Sequence, residues 1–160
     1  VPDLFADGQV RVAYVPSISN NSAPTTTELN AGILLQSYIT ADGLIGFEAT
    51  TAEVDTTSLA STFDTKNIGR DSYSGTMLRL KKQTLGADTP RATLTRGTTG
   101  YIAIRRGLAE STAWASSQQV EIYPVICGRR KEVTPTANSV FKYEIPMPIT
   151  ASPSPDAVVA

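Results

Sequence analysis

The chain has 160 residues, a formal net charge of −1 and no histidine, which is enough for one sizeable core and too little for two full domains. Without histidine there is no Ser-His-Asp or Cys-His nucleophile and no imidazole zinc site. With Cys127 as the only cysteine there is no intramolecular disulfide and no thiolate metal site.

In chain order, the opening VPDLFADGQVRV has neither the basic n-region nor the apolar h-region of a secretory signal. VRVAYVP (10–16) reads as a first strand or an extended arm. Asn20-Asn21-Ser22 matches a glycosylation sequon, which without secretion is a chance match. Residues 23–44, APTTTELNAGILLQSYITADGL, are locally well defined yet carry no reactive group. A helical turn over 24–31 stops at Asn30 and Gly32, and an alternating apolar stretch then ends at Asp42-Gly43, a dipeptide that favours chain reversal. Period-two alternation with β-branched and aromatic residues predicts strands at 34–41, 44–49, 52–59, 72–82, 100–106, 119–127 and 139–148. Each is expected to have one core face and one face that is exposed or meets a partner. Pro124, Pro146 and Pro148 each remove a ladder donor and mark edges or bulges.

One further helix is predicted after Asp88 or Thr89 as cap, with Pro90 in its first turn, Ala92 and Leu94 as apolar contacts and Gly97 closing its end. TASPSPDAVVA has few anchors, so residues 151–160 are expected to form a flexible tail outside a single β domain of residues 1–150, with 1–16 as arm and first strand. The fold class is mainly β: two packed antiparallel sheets, sandwich or barrel-like, with one short flanking helix and a long inter-strand loop.

That loop is ASTFDTKNIGRD (60–71), about a dozen residues without clear period. Loops of this length are functional or mobile, so it is either a hairpin tip or a contact loop reaching another subunit. Charge is segregated: residues 1–78 carry three basic side chains against nine acidic ones, and residues 79–142 carry eleven against four. CGRRKEV is the best basic patch for nucleic acid, with a solvated strand end and head-to-tail pairing with an acidic face of another copy as the other readings. Glu53 and Asp55 share a strand face opposite Val54; they have the residue types of a glycosidase pair, but acids on an exposed strand are more simply solvated surface. No catalytic, metal-binding or cofactor-binding residues are predicted.

YVPSISNNSAPTTTELNAGILLQSYITADGL closely resembles the N-terminal region of the major tail tube proteins of long non-contractile-tailed (siphovirus-type) bacteriophages, those of actinobacteria especially. The matching positions are Pro16, Ile18, Asn20, Ala23, Pro24, Thr25, Glu28, Leu29, Asn30, Ala31, Gly32, Tyr38, Ile39, Thr40, Asp42, Gly43 and Leu44. TRGTTGYIAIRRG and QQVEIYPVICGRRKEVTPTANSVFKYEIPMPIT form a second, looser block, and the two together span most of residues 14–150. The resemblance implies a non-enzymatic virion protein, assembled in the host cytoplasm, whose hexameric rings stack head to tail around the tape-measure protein. Tail terminator and tail-tip proteins would cap the tube, and DNA would pass through it without specific binding.

On that reading the definition of 23–44 serves shape, because a ring closes only if every copy repeats the same edge and register. Phe63, Asp64, Lys66, Ile68, Arg70 and Asp71 are then the inter-ring contact loop. Arg79, Lys81, Lys82, Arg105, Arg106, Arg129, Arg130 and Lys131 are the basic partners between subunits. Glu53 and Asp55 line or border the lumen, where basic groups would pin a passing polyanion. A ring-forming tail terminator, a capsid-decorating protein and a carbohydrate-binding sandwich are the alternatives.

Overall fold

The computed structural model describes residues 1–160. Its strands are β1 (Val10–Val15), β2 (Ile33–Leu34), β3 (Ile39–Ile45), β4 (Thr50–Asp55), β5 (Lys66–Ser72), β6 (Met77–Lys81), β7 (Thr99–Arg106), β8 (Gln119–Ile126), β9 (Lys131–Glu132), β10 (Lys142–Pro146) and β11 (Ser154–Val158). Its helices are α1 (Thr26–Asn30) and α2 (Thr89–Thr93). Three antiparallel sheets result, in the orders β11-β8-β7-β1-β2, β3-β6-β10-β9 and β4-β5, and neither large sheet closes into a barrel.

Alternation in β6 and β10 puts Leu78, Leu80, Tyr143 and Ile145 on one face. There they meet Val12, Tyr14, Ile102, Ile104, Tyr123 and Val125 from the five-stranded sheet, and this inter-sheet layer is the main core. Phe141, inside the strand predicted over 139–148, lies just before β10 and is exposed.

The expectation of one buried face per strand fails in β1, β7 and β8, which are buried on both. A second cluster covers the outer face of their sheet: Leu29 of α1 and Trp114 pack with Ala13, Val15, Ala103 and Ile122, and Ala157 and Val159 extend the cluster along the sheet edge. The C-terminal segment is therefore not a flexible tail. It forms edge strand β11, paired with β8 through Ala157↔Val120 and Val158↔Gln119. Its short Ala-Val-Val run supplies small apolar groups at the positions the outer layer needs.

Asp42-Gly43 does not reverse the chain either; it lies within β3, at a register shift against β6 between Ile39 and Leu44. A Cβ on Gly43 would sit 2.5 Å from the Arg79 carbonyl oxygen, so glycine here permits close strand approach. Gly32 plays the same part beside the Tyr14 carbonyl.

The two helices begin with strong caps. Thr25 Oγ1 accepts from the Glu28 amide at 3.2 Å, while Glu28 Oε1 accepts from the Thr25 amide at 3.0 Å. This reciprocal box is tied to the preceding loop by the Ser19 amide, which donates to Glu28 Oε2 at 2.8 Å. In α2, Asp88 caps and Pro90 occupies the first turn as expected, but Leu94 ends the helix and Gly97, at φ +89, lies in the following turn.

Candidate assembly surface

The long loop and the acidic pair turn out to belong to one element. β4 and β5 pair only with each other, from Thr50↔Ser72 to Asp55↔Lys66, and the predicted loop residues 66–71 are the second strand of this hairpin. A free two-stranded ribbon is marginal in water, and this one buries none of its strand residues. Its definition comes from polar contacts. Lys66 Nζ meets Glu53 Oε2 at 2.9 Å, and Thr51 Oγ1 donates to Asp71 Oδ1 at 2.7 Å. Within the tip, the Thr57 amide donates to Asp55 Oδ1 at 2.9 Å and the Thr65 amide to Thr57 Oγ1 at 3.0 Å.

Register places Glu53, Asp55, Lys66 and Ile68 on one face and Val54 with Asn67 on the other. Phe63 and Ile68 are 76% and 78% exposed, and Leu59 is fully exposed at the tip. Sequence reasoning missed Leu59 and Val54. The signal was there in TTAEVDTTSL, whose alternation never produces an apolar core face. The two ends of the hairpin are anchored: Phe47, before β4, and Tyr73, after β5, both stand edge-on to Tyr123 at 5.1 and 5.9 Å between centroids.

The basic residues proposed as partners between subunits mostly spend their charge within the chain. Arg79 bridges Asp42 at 2.8 Å and Glu144 at 3.0 Å, and Arg106 holds Glu121 at 2.6 Å. Lys82 and Arg130 share Glu132, at 3.6 and 3.4 Å. Arg105 is not a surface residue: it is 1% exposed. It pairs in register with Arg11, and the two guanidinium groups lie 5.0 Å (Arg11) and 5.2 Å (Arg105) from the Trp114 ring centroid. Its head donates to the carbonyls of Ala109 at 2.9 Å and Ala113 at 3.3 Å and to Gln118 Oε1 at 3.0 Å. Burial, and after it the charge of Arg11, draws its pKa below the usual arginine range. Lys81, Arg129 and Lys131 make no ion pair within the chain, so the eight candidates do not form one surface.

This arrangement offers contact rather than chemistry: a rigid-based ribbon with apolar groups at its end, its shape fixed by one ion pair and several hydrogen bonds. The family of phage tail tube proteins matches the chain over residues 1–160. The chain belongs to that family. No curated protein matches it. As a tail tube protein it is a structural component of the phage virion, it self-assembles into a tube alongside other tail proteins, and its family implies a non-enzymatic role. The hairpin, uncovered in a single tail tube subunit, is the largest element that such assembly leaves to be accounted for.

Proposed function

We propose that the chain is the repeating subunit of a long, non-contractile phage tail. Hexameric rings stack head to tail around the tape-measure protein, and the finished tube conducts DNA during infection. The observation that carries this reading is the β4–β5 hairpin, which exposes Val54, Leu59, Phe63 and Ile68 with nothing in its own chain to cover them.

Full burial of Phe63 or Ile68 against a neighbouring ring would contribute about 1.5–3 kcal/mol each. An exposed ion pair contributes only ~0–1 kcal/mol. The apolar anchors therefore dominate stacking, and Asp64, Lys66, Arg70 and Asp71 set orientation and salt sensitivity. The internal pairing of Arg79, Lys82, Arg106 and Arg130 supports the transport role, since cations already engaged by carboxylates hold a sliding phosphate backbone less firmly. Glu53 and Asp55 share the Ile68 face of the hairpin, so they border the lumen at the edge of that contact; Lys66 offsets Glu53, and Asp55 leaves the edge net acidic.

The test is electron microscopy of purified protein in which residues 57–64 are replaced by a two-residue turn. The variant is expected to keep the parent's thermal unfolding and to close into rings, but not to stack. Tubes that grow as readily as the parent's would reduce the hairpin to a surface tip, and single rings from the parent itself would favour a terminator.

A further inference from the structure

Two segments far apart in sequence bring four arginines together. Arg91 and Arg96, in α2 and the turn that follows it, line an open cavity of about 400 Å3 with Arg129 and Arg130, from the chain after β8; Leu94 and Thr95 complete the wall. The two segments are stapled by the Gly97 amide, which donates to the Cys127 carbonyl at 2.8 Å, and by the Cys127 amide, which donates to Thr98 at 2.8 Å. The cavity is thus part of the folded frame.

Its charge is poorly compensated. Only Arg130 has an acidic partner, Glu132 at 3.4 Å, which it shares with Lys82. Asp88, the carboxylate of α2, is buried and fully used: it accepts from the Tyr143 hydroxyl at 2.8 Å and from the amides of Gln83 and Arg91 at 3.1 and 3.4 Å. Arg130 is further held over the Tyr143 ring at 5.9 Å. Converging guanidinium groups repel one another, and an oxyanion accepting from two or more of them relieves that repulsion with charge-assisted, often bidentate, hydrogen bonds.

We propose that this cavity is an anion-binding site and that its occupant is the acidic hairpin of a second copy of the chain, with Asp64 at the hairpin tip as the entering carboxylate. The choice of partner rests on the tube reading above. Complementarity favours it: β4–β5 and their connection carry Glu53, Asp55, Asp64 and Asp71 against Lys66 and Arg70, and Asp64 makes no ion pair within its own chain. Two strands of six and seven residues also carry the tip roughly 20 Å from its base, far enough to reach a neighbour. DNA is the weaker candidate, because a four-arginine site repeated in every subunit would hold phosphates that the tube must release.

The experiment has two arms on the full chain. In the first, arginine Nε–Hε resonances are followed by NMR during titration with sulfate, at concentrations low enough to keep the chain monomeric. Saturable shifts are expected at Arg91, Arg96 and Arg129, and are expected to vanish in the R96E/R129E double variant; flat titrations in the parent would overturn the site. In the second, assembly is read by sedimentation. R96E/R129E should raise the concentration needed for stacking at least tenfold, and adding Asp64→Arg should recover most of that loss. Parent-like assembly of R96E/R129E overturns the proposal while leaving the tube reading intact. A defect that Asp64→Arg does not relieve, or that appears only as lost binding of duplex DNA, overturns the hairpin as occupant. A parent that binds sulfate but never assembles overturns the tube reading and the second-copy occupant together, and leaves the anion site standing.

Discussion

Tyr73 stands edge-on to Tyr123, with ring centroids 5.9 Å apart and planes at 81°. Tyr123 is buried, and its hydroxyl donates to Glu121 Oε1 at 2.5 Å, so the ring at the base of the hairpin is fixed from inside the five-stranded sheet. An otherwise free ribbon is thereby given a definite direction. Without such an anchor, the ribbon would stand at varying angles to the sheets.

Tyr73→Ala should therefore loosen the hairpin more than the fold. The lost aromatic contact is worth about 0.5–1.5 kcal/mol beyond its area. The expected result is faster proteolytic nicking within residues 56–65, with little change in the global urea midpoint. Equal losses in both would mean that the hairpin and the sheets unfold as one unit.

The arginine pair around Trp114 makes a prediction about stability alone. Arg105→Ala leaves a cavity and strands the carbonyls of Ala109 and Ala113, at a cost of about 2–5 kcal/mol. Arg105→Met removes the same charge and the same hydrogen bonds but keeps most of the volume, so it should cost clearly less. Urea unfolding of both variants gives the ordering, and a methionine variant no better than alanine would show that the stranded carbonyls, and not the lost volume, set the cost.

Gly43→Ala separates a bulge from a turn. In an open Asp-Gly turn an alanine is a mild change, but here the new Cβ would press on the backbone oxygen of Arg79 from 2.5 Å. Forcing β3 from β6 should cost about 1–3 kcal/mol, and the amides of both strands should exchange hydrogen faster.

Acid should weaken the capped segment. The Thr25 amide, and then that of Ser19, hold the Glu28 carboxyl below its ordinary 4.5. A depressed carboxyl stabilises the fold above its unfolded pKa, and that contribution fades as pH falls through the lower folded value. Stability measured from pH 6 down to pH 3 should fall partly through Glu28, and Glu28→Gln should flatten that part of the slope. An unchanged slope would assign acid sensitivity to other carboxylates.

Cys127 reports on the core. It is buried, and burial pushes its thiol up to about 11. At neutral pH, alkylation by iodoacetamide should track global unfolding in a urea series, and rapid labelling without denaturant would indicate local opening beside β8.

Residues that interact with close neighbours in the chain were readable from the sequence. The alternation in β6 and β10, the Asp88 cap of α2 and the helical turn over 24–31 depend on contacts a few residues apart. Two-sided burial of β1, β7 and β8 was not readable, because alternation shows where apolar groups lie but not whether a second layer will cover them. That layer needed Trp114, Leu29 and the last residues of the chain to converge on one sheet face. Arg105 reads as surface by residue type, yet its aliphatic stem and forked head suit a buried site lined by carbonyls. Asp42-Gly43 carries a turn signal that became a close strand approach once Arg79 lay opposite it. The four-arginine cavity likewise exists only because the Gly97–Cys127 hydrogen bond lays α2 beside the end of β8. Which surfaces meet depends on contacts between distant segments, and a local pattern in the chain does not encode them.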